Sequence, residues 1–409
     1  MSRKVLTNAL LLGCLKLAAP ALSLAIVAAV SRRLGAEGLG RYSLAYAWLT
    51  VFGLLAPLGL PVLLTREGAR DPSRLARLLS SGLILSGGVS VVLAALLAAL
   101  APVLGSDPEA VEAVRMVAPA LLPAAWAACC EAAFLALERA GPVVAASLVE
   151  HALKVGLGAA LLYSGDGLNA VLGAAVLGKL AACVFSLVWL RRLGVRVKPL
   201  ADRATLRSLL RRAPVPAASA VCATLYWRID VFLLSYLRGA AEAGLYTAAY
   251  RLLDLAILLP QSLCQSLLPV MAANGAAAGA AANSYRSWLA ALTVPVAAVL
   301  TVAGAPVLGV LYGERFRLAA PVLAVLIWAA APYAWNRYRA CVLVARDRQG
   351  ADLGINAGLL GLNAALNLSL IPAHGALGAA AVTLSTGLLY GAAQMLYLRR
   401  TPAEVKAPA

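Results

Sequence analysis

The chain has 409 residues, of which 62% are hydrophobic and 13% charged, and its mean hydropathy is +0.85. These values exclude a soluble globular protein, because too little polar surface remains to cover an apolar core of that size. The net charge of +17 does not indicate nucleic-acid binding, since the Arg residues stand in short segments between apolar runs and mark no soluble basic face.

Long apolar runs separated by short polar breaks predict an all-α polytopic membrane protein with twelve transmembrane helices. Each run has about 20 residues or more, enough for a helix to cross a hydrocarbon core of about 30 Å. The basic N-terminus and the run after it resemble a signal peptide, but many equal runs follow, so this run is interpreted as the first span. The predicted spans are 8–31, 42–64, 78–104, 114–137, 142–163, 168–190, 214–236, 244–268, 287–311, 318–343, 353–371 and 377–398.

The Lys and Arg residues between the spans predict the orientation in the membrane. One set of alternate loops, together with both termini, holds 21 of them, whereas the opposite loops hold six. By the positive-inside rule the richer side is cytoplasmic, so both termini are expected in the cytoplasm. Because one missed span would scramble this asymmetry, it also supports an even number of spans.

One stretch of sequence occurs twice, about half the chain apart. Residues 33–46 (RLGAEGLGRYSLAY) return as 238–250 (RGAAEAGLYTAAY), at an offset of 204 for the tyrosines. The ends of the two halves also match, at an offset of 208. Such a repeat predicts two parallel six-helix lobes with a binding site where they meet. The aligned pairs are Tyr42 with Tyr246, Tyr46 with Tyr250, Arg191 with Arg399, and Arg192 with Arg400.

Two connecting segments differ in composition from the predicted spans. Residues 191–213 hold eight basic residues and one acid, Asp202, and are interpreted as a topogenic linker lying on anionic lipid. Residues 269–286, rich in Ala and Gly, are interpreted as a flexible linker. The expected domains are therefore an N-terminal lobe, 1–190, a cytoplasmic basic linker, 191–213, and a C-terminal lobe, 214–409.

Ionisable residues within the predicted spans indicate a site, because an ionised side chain at the centre of a bilayer is costly and mostly faces a cavity or a partner. Bases outnumber acids there, seven Lys or Arg to four Asp or Glu when Arg115 at the edge of its span is left out, which favours an anionic ligand. The candidate substrate-binding residues are Lys16, Lys154, Lys179, Arg228 and Arg251, and the candidate ion-coupling residues or counter-ions are Glu131, Glu150, His151, Asp230 and Asp254.

The three lysines are the preferred ligand contacts, because the acids nearby do not balance them all. Lys179 lies near the middle of its span and has no acid on its own helix. Glu150 and Lys154 are four residues apart on one helix face and are able to pair.

Four further charges form a balanced set. Arg251 and Asp254 are three residues apart on one helix, whereas Arg228 and Asp230 are two apart and point in different directions. The pattern also allows pairing between neighbouring helices, Asp230 with Arg251 or Asp254 with Arg228. A structural cluster and a ligand site stay equally open for this set.

The sequence leaves the roles of the remaining ionisable residues open. Glu131 is a candidate proton carrier and equally a counter-ion to a lysine. His151 titrates near neutral pH when unperturbed, and a neutral, hydrogen-bonded ring is the favoured interpretation. Arg337 and Arg339 approach the cytoplasmic end of their span and are interpreted as extending to the interface.

Four stretches, in order and at their spacing along the chain, carry a resemblance to a known family. They are 33–42 (RLGAEGLGRY), 228–230 (RID) followed by 243–246 (AGLY), 311–316 (LYGERF) and 363–380 (NAALNLSLIPAHGALGAA). Together they resemble the Wzx-type polysaccharide flippases, within the MOP superfamily that also contains the multidrug exporters called MATE and the lipid II flippases. The lipid II flippases usually have two further C-terminal spans.

The resemblance implies a fold and a function. The implied fold is two six-helix lobes in a V around a central cavity. The implied function is movement of undecaprenyl-pyrophosphate-linked oligosaccharides from the cytoplasmic to the outer leaflet of the bacterial inner membrane. The expected partners are this anionic cargo, membrane lipids and glycan-assembly enzymes, with no nucleic acid, and the chain is expected to be a monomer.

Two other functions remain as alternatives. A cation-coupled multidrug antiporter of the same fold normally has an acidic or aromatic cavity for its cationic drugs, which the excess of bases disfavours. A glycan polymerase or ligase needs catalytic residues on a sizeable outer loop, and the predicted outer loops are short. The protein is therefore not expected to be an enzyme. No metal or cofactor is expected either, because the seven Cys lie inside apolar runs without metal-ligand spacing.

Overall fold

The computed structural model describes residues 3–195, 197, 203–212, 214–273, 277–345 and 348–400, and within them every regular element is a helix. The prediction of an all-α protein is therefore confirmed. The α-helices are α1 (Arg3–Leu55), α2 (Leu60–Arg70), α3 (Leu75–Leu104), α4 (Pro108–Val117), α5 (Leu121–Ala136), α6 (Ala140–Ser164), α7 (Leu168–Arg192), α8 (Arg203–Arg212), α9 (Pro214–Leu237), α10 (Ala240–Ala273), α11 (Ala277–Tyr312), α12 (Ala320–Leu326), α13 (Ala330–Ala345) and α14 (Gln349–Arg400).

The lengths of the helices are consistent with the predicted spans. In the described part of the chain, eight helical stretches are long and apolar enough to cross a membrane. Two of these, Ala18–Leu55 and Gly350–Arg400, have 38 and 51 residues, far more than the roughly 20 that one crossing needs. Each contains one break, at Gly35 and at Gly375, so each fits two crossings.

Gly35 sets the break in α1. Its backbone has φ 68° and ψ −163°, a region that is essentially restricted to glycine. No neighbouring atom lies within 4 Å of the position where a Cβ would stand, so the restriction comes from the backbone alone. The chain therefore needs glycine at this position to turn between its first two crossings.

Replacing Gly35 with alanine is expected to destabilise the protein by about 1–3 kcal/mol, because alanine would have to adopt this unfavourable backbone conformation. The melting temperature of the purified protein in detergent measures this effect. Gly53→Ala is the matched control, since Gly53 lies within the same helix and also has no atom within 4 Å of an added Cβ. Equal melting temperatures for the two variants would contradict the expectation.

Two predicted limits are wrong. The second predicted span, 42–64, is interrupted, because α1 ends at Leu55 and α2 begins at Leu60 after Gly59, whose φ is 70°. The predicted linker 269–286 is largely helical, since α10 continues to Ala273 and α11 begins at Ala277. Alanine is the strongest helix former, and its abundance in this stretch outweighs the few glycines.

The chain forms two compact units, residues 1–244 and 245–409. In the first unit, α6 packs along α1 and α7, while α5 packs against α2, α3 and α7. Leucines of α2 and α3 and residues of α5 form a buried apolar core, which Leu209 of α8 completes. Arg207 and Arg211 on the same short helix are exposed, so the predicted basic linker contains an amphipathic helix.

In the second unit, α12 packs against α11 and α14, and α13 packs against α14. Polar side chains join the parts of α14 on either side of Gly375. Asn363 donates from Nδ2 to the Oγ1 of Thr386 at 3.1 Å, and Asn367 donates from Nδ2 to the Oδ1 of Asn363 at 2.8 Å. All three side chains are buried, so these bonds fix the two parts against each other in an apolar surrounding.

The two copies of the repeated sequence touch each other within the first unit. A Cβ on Gly40 would lie 1.8 Å from the carbonyl oxygen of Ala240, and a Cβ on Gly244 would lie 1.9 Å from the carbonyl oxygen of Ala36. The offset of 204 aligns Ala36 with Ala240 and Gly40 with Gly244. Each copy therefore presents its alanine carbonyl to the glycine of the other, which is the reciprocal pattern of a two-fold contact. We call these four residues the Ala–Gly contact.

Arg41, next to the Ala–Gly contact, binds the beginning of α4. Its Nε lies 3.1 Å from both carboxylate oxygens of Asp107, and its Nη1 lies 2.6 Å from Oε2 of Glu109. At the end of α9, the hydroxyl of Ser235 donates to the Oγ of Ser106 at 3.1 Å. These polar bonds tie α1, α4 and α9 together at the side that the positive-inside rule predicts to be external.

Candidate functional site

Five of the candidate residues lie on three consecutive helices of the first unit. Glu131 is on α5, Glu150, His151 and Lys154 are on α6, and Lys179 is on α7. Helix α7 packs against both α5 and α6, which brings these side chains to one region. We call the five residues the charged cluster.

An ion pair between neighbouring helices lies at the centre of the charged cluster. The Nζ of Lys179 is 2.8 Å from Oε1 of Glu150, and their side chains are 31% and 17% exposed. Gly178 allows this approach, because a Cβ there would lie 2.7 Å from the carbonyl oxygen of Glu150. Lys179 is therefore paired although its own helix has no acid, because α6 supplies the carboxylate.

Lys154 is more buried than Lys179. Its residue is only 7% exposed, and its Nζ lies 5.8 Å from the ring centroid of Tyr46 on α1. An ammonium group over an aromatic face is attracted by the ring quadrupole. The sequence interpretation missed Tyr46 as part of the site, although the repeated tyrosines were the signal that could have identified it.

Glu131 and His151 interact with the same ion pair. The carboxyl group of Glu131 is attracted by Lys179 and repelled by Glu150. The Nδ1–H of His151 donates to the backbone carbonyl of Ser147 at 2.8 Å, so the ring is held in a hydrogen bond within its own helix. Lys179 thus forms an ion pair with Glu150 and also acts electrostatically on Glu131.

The charged cluster has no formal net charge with His151 neutral, since it contains two Lys and two Glu. The cluster therefore has no surplus of positive charge to attract an anion. It is able to bind one only if the anion takes the place of a carboxylate beside a lysine. A phosphate oxygen is a strong acceptor for an ammonium group. Because the Lys179–Glu150 pair is partly exposed, an anionic ligand is able to replace the carboxylate at Lys179 without leaving a buried cation unpaired.

The other candidates lie elsewhere. In the second unit, Arg251 binds Asp254 on its own helix, with 3.3 Å between Nη1 and Oδ2. Asp230 on α9 is 4% exposed, and its Oδ1 accepts a hydrogen bond from the N–H of Val231. Arg228 is partly buried two residues earlier on the same helix. The side chain of Lys16 lies outside the described residues.

The sequence matches the model of one protein family. The family described as "Polysaccharide biosynthesis protein" matches residues 5–274, about two thirds of the chain. No curated protein shows significant sequence similarity to the chain.

Solved structures with the same fold include flippases and drug transporters. "Lipid II flippase MurJ, inward closed conformation" has a TM-score of 0.79 and 14% identity, over 94% of this chain and 86% of that one. An inward-facing multidrug resistance MATE transporter has a TM-score of 0.73 and 16% identity, over 96% and 100%. A MOP superfamily transporter from Pyrococcus furiosus has a TM-score of 0.65 and 17% identity, over 98% of each chain. At these identities the likeness shows the fold.

Proposed function

Because the chain belongs to the family of polysaccharide biosynthesis proteins, we propose that it moves a lipid-linked oligosaccharide across the bacterial inner membrane. The cargo of this proposal is an oligosaccharide on undecaprenyl pyrophosphate, moved from the cytoplasmic to the outer leaflet. The fold shared with a lipid II flippase supports this class of cargo. The eight candidate membrane spans in the described part of the chain support a transporter over a soluble enzyme.

The Lys179–Glu150 ion pair carries the proposal for the binding site. The pyrophosphate displaces Glu150 from Lys179 when the cargo binds, and Glu150 returns when the cargo leaves. Lys154, held near Tyr46, supplies a second cation within the same cluster. The pair thus keeps Lys179 neutralised during the empty return, when an unpaired cation in the membrane would be costly.

The Ala–Gly contact supports alternating access as the mechanism. It closes the side of the first unit that is predicted to be external, and it involves one copy of the repeat from each half of the sequence. The cargo leaves on that side when the two copies part. Backbone atoms in direct contact allow a close seal with no side chain to rearrange.

The membrane potential is a sufficient driving force in this proposal. An inside-negative potential favours outward movement of an anion by about 2.3 kcal/mol per charge per 100 mV. A doubly charged headgroup gains roughly 4–5 kcal/mol at 100 mV. Transport then needs no obligatory counter-ion. If a counter-ion is used, Glu131, Glu150 and Asp254 are the residues that would carry it.

Reconstitution into liposomes tests the proposal. The lipid-linked oligosaccharide is placed in the inner leaflet of right-side-out vesicles, and its arrival outside is followed by a soluble glycan-cleaving enzyme. The expected result is translocation that needs no Na⁺ or pH gradient, passes equal distribution under an inside-negative potential, and stops at equal distribution when the potential is clamped at zero. A strict need for Na⁺ or for a pH gradient would overturn the potential-driven mechanism, and no translocation at all would overturn the function.

A cation-coupled drug antiporter is the second candidate, because MATE transporters share the fold. Expression in a pump-deficient strain distinguishes the two functions. The flippase proposal predicts no gain in drug resistance and restored surface polysaccharide in a strain that lacks its own flippase.

A further inference from the structure

A cavity of about 330 Å³ lies between α13 and α14 in the second unit. Its wall is almost entirely apolar and includes Pro332 and Trp335 of α13 and Leu388 and Met395 of α14. Sugars and phosphates need hydrogen-bonding partners when they leave water. An apolar wall of this kind therefore suits a hydrocarbon chain and not the polar part of the proposed cargo.

A guanidinium group stands at one end of the cavity. The Nη1 of Arg339 lies 3.4 Å from Oδ1 of Asn336, and its Cζ lies 5.8 Å from the ring centroid of Trp335. Asn336 is itself fixed, because its Nδ2 donates to the backbone carbonyl of Gly387 at 2.7 Å. A Cβ on Gly391 would lie 2.6 Å from Asn336 Oδ1 and 2.9 Å from Arg339 Nη1. The glycine thus gives Arg339 the room to lie against α14.

The cavity runs along the helices, and of its lining residues on α13 Arg339 is the one nearest the C-terminal end of that helix. Arg339 is six residues from the end of α13, which at 1.5 Å per residue is about 9 Å. From Arg339 to Pro332 the cavity continues for seven residues, about 10 Å farther from that end. By the positive-inside rule the nearby end is cytoplasmic. The order from surface to interior is therefore a cation and then an apolar slot.

We propose that this cavity binds an anionic phospholipid of the cytoplasmic leaflet. One acyl chain fills the slot, and the phosphate binds Arg339. Arginine forms strong, charge-assisted hydrogen bonds with phosphate, and anionic lipids are concentrated in the cytoplasmic leaflet, towards which this end of α13 is predicted to face. The site is distinct from the charged cluster, which belongs to the other compact unit.

A thermal-shift titration of the full-length protein in non-ionic detergent tests the site. A ligand that binds the folded protein raises its melting temperature with concentration. Phosphatidylglycerol is expected to raise the melting temperature in a saturable way, and phosphatidylcholine is not. Native mass spectrometry of the wild-type protein is expected to show one retained phosphatidylglycerol. Equal shifts from the two lipids would overturn the proposal.

Matched variants locate the binding. Leu388→Trp fills the slot from its wall, and Leu389→Trp is the control, because Leu389 is similarly exposed but does not line the cavity. Leu388→Trp is expected to remove the phosphatidylglycerol shift, and Leu389→Trp is expected to keep it. Arg339→Gln is expected to raise the phosphatidylglycerol concentration that gives half of the maximal shift by about tenfold, as loss of a charge-assisted hydrogen bond does.

Three results would overturn the proposal. The first is a full phosphatidylglycerol shift in both Leu388→Trp and Arg339→Gln. The second is a shift that depends on Leu388 but comes only from undecaprenyl phosphate, which would make the slot a cargo site. The third is loss of the shift in Leu389→Trp to the same extent as in Leu388→Trp. None of these results affects the flippase proposal, which does not depend on this cavity.

Discussion

Transport is expected to fall by about tenfold or more when Gly40 or Gly244 is replaced by alanine, because an added methyl group cannot enter the Ala–Gly contact without costing about 1–3 kcal/mol. Each Cβ would stand within 2 Å of a backbone carbonyl oxygen. A backbone oxygen cannot turn away as a flexible side chain can. The helices must therefore separate, and under the proposed mechanism the side of the first unit that is predicted to be external no longer closes.

Cysteine labelling measures this separation directly. Ser235 is buried at the end of α9 and hydrogen-bonded to Ser106. A Ser235→Cys variant, with the seven native cysteines replaced, is expected to react slowly with a membrane-impermeant maleimide added from outside. Adding Gly40→Ala is expected to speed this labelling by roughly tenfold, the factor that corresponds to about 1.4 kcal/mol.

The control for the Ala–Gly contact is Gly53→Ala. Gly53 lies farther along α1, and its added Cβ meets no atom within 4 Å. Transport and labelling are expected to stay at the wild-type level in this variant. Wild-type transport in a protein that carries both Gly40→Ala and Gly244→Ala would show that the contact does not need to close.

Removing the central ion pair is expected to separate its structural role from its role in binding. Replacing both members of a buried pair by apolar residues is often neutral for stability, whereas removing one member leaves an unpaired charge. The double variant Lys179→Met with Glu150→Leu is therefore expected to be produced at normal levels. Its transport rate should still fall by about tenfold or more, because Lys179, the cation that exchanges its carboxylate partner for phosphate, is gone and Lys154 alone remains.

The single variant Glu150→Gln gives the complementary result. It keeps Lys179 and removes the competing carboxylate, so the pyrophosphate lipid is expected to bind about tenfold more tightly and to leave more slowly. Two measurements are made on each variant. One is the surface polysaccharide that it restores in a flippase-deficient strain, and the other is the affinity of the purified protein for the pyrophosphate lipid. Normal polysaccharide in the double variant would show that the pair serves the packing of α6 and α7 alone.

The sequence predicts the helices well because hydropathy and length determine which segments enter a membrane. It predicts less about the rotation of each helix. Helices α6 and α7 are apolar nearly all round, so no amphipathic face indicates which side meets a neighbour. The pairing of Lys179 with Glu150 depends on that rotation and on the close approach at Gly178, and neither follows from spacing along one helix.

The repeat does more than show that the chain has two halves. Its offset predicts which residues correspond, and the Ala–Gly contact forms between two corresponding pairs. The contact itself could not be predicted, because an offset gives equivalence and not proximity. The second tyrosine of the repeat likewise lies near Lys154 only through the packing of α1 on α6.

The affinity of the purified protein for two matched lipids tests the central claim most directly. The lipids are a polyprenyl pyrophosphate and the uncharged polyprenol of the same length. The pyrophosphate is expected to bind at least tenfold more tightly, and this preference is expected to shrink by about tenfold in the double variant Lys179→Met with Glu150→Leu, which keeps Lys154 as the one lysine of the cluster. Equal affinities for the two lipids, or a preference as large in the double variant as in the wild type, would contradict the exchange of Glu150 for phosphate at Lys179.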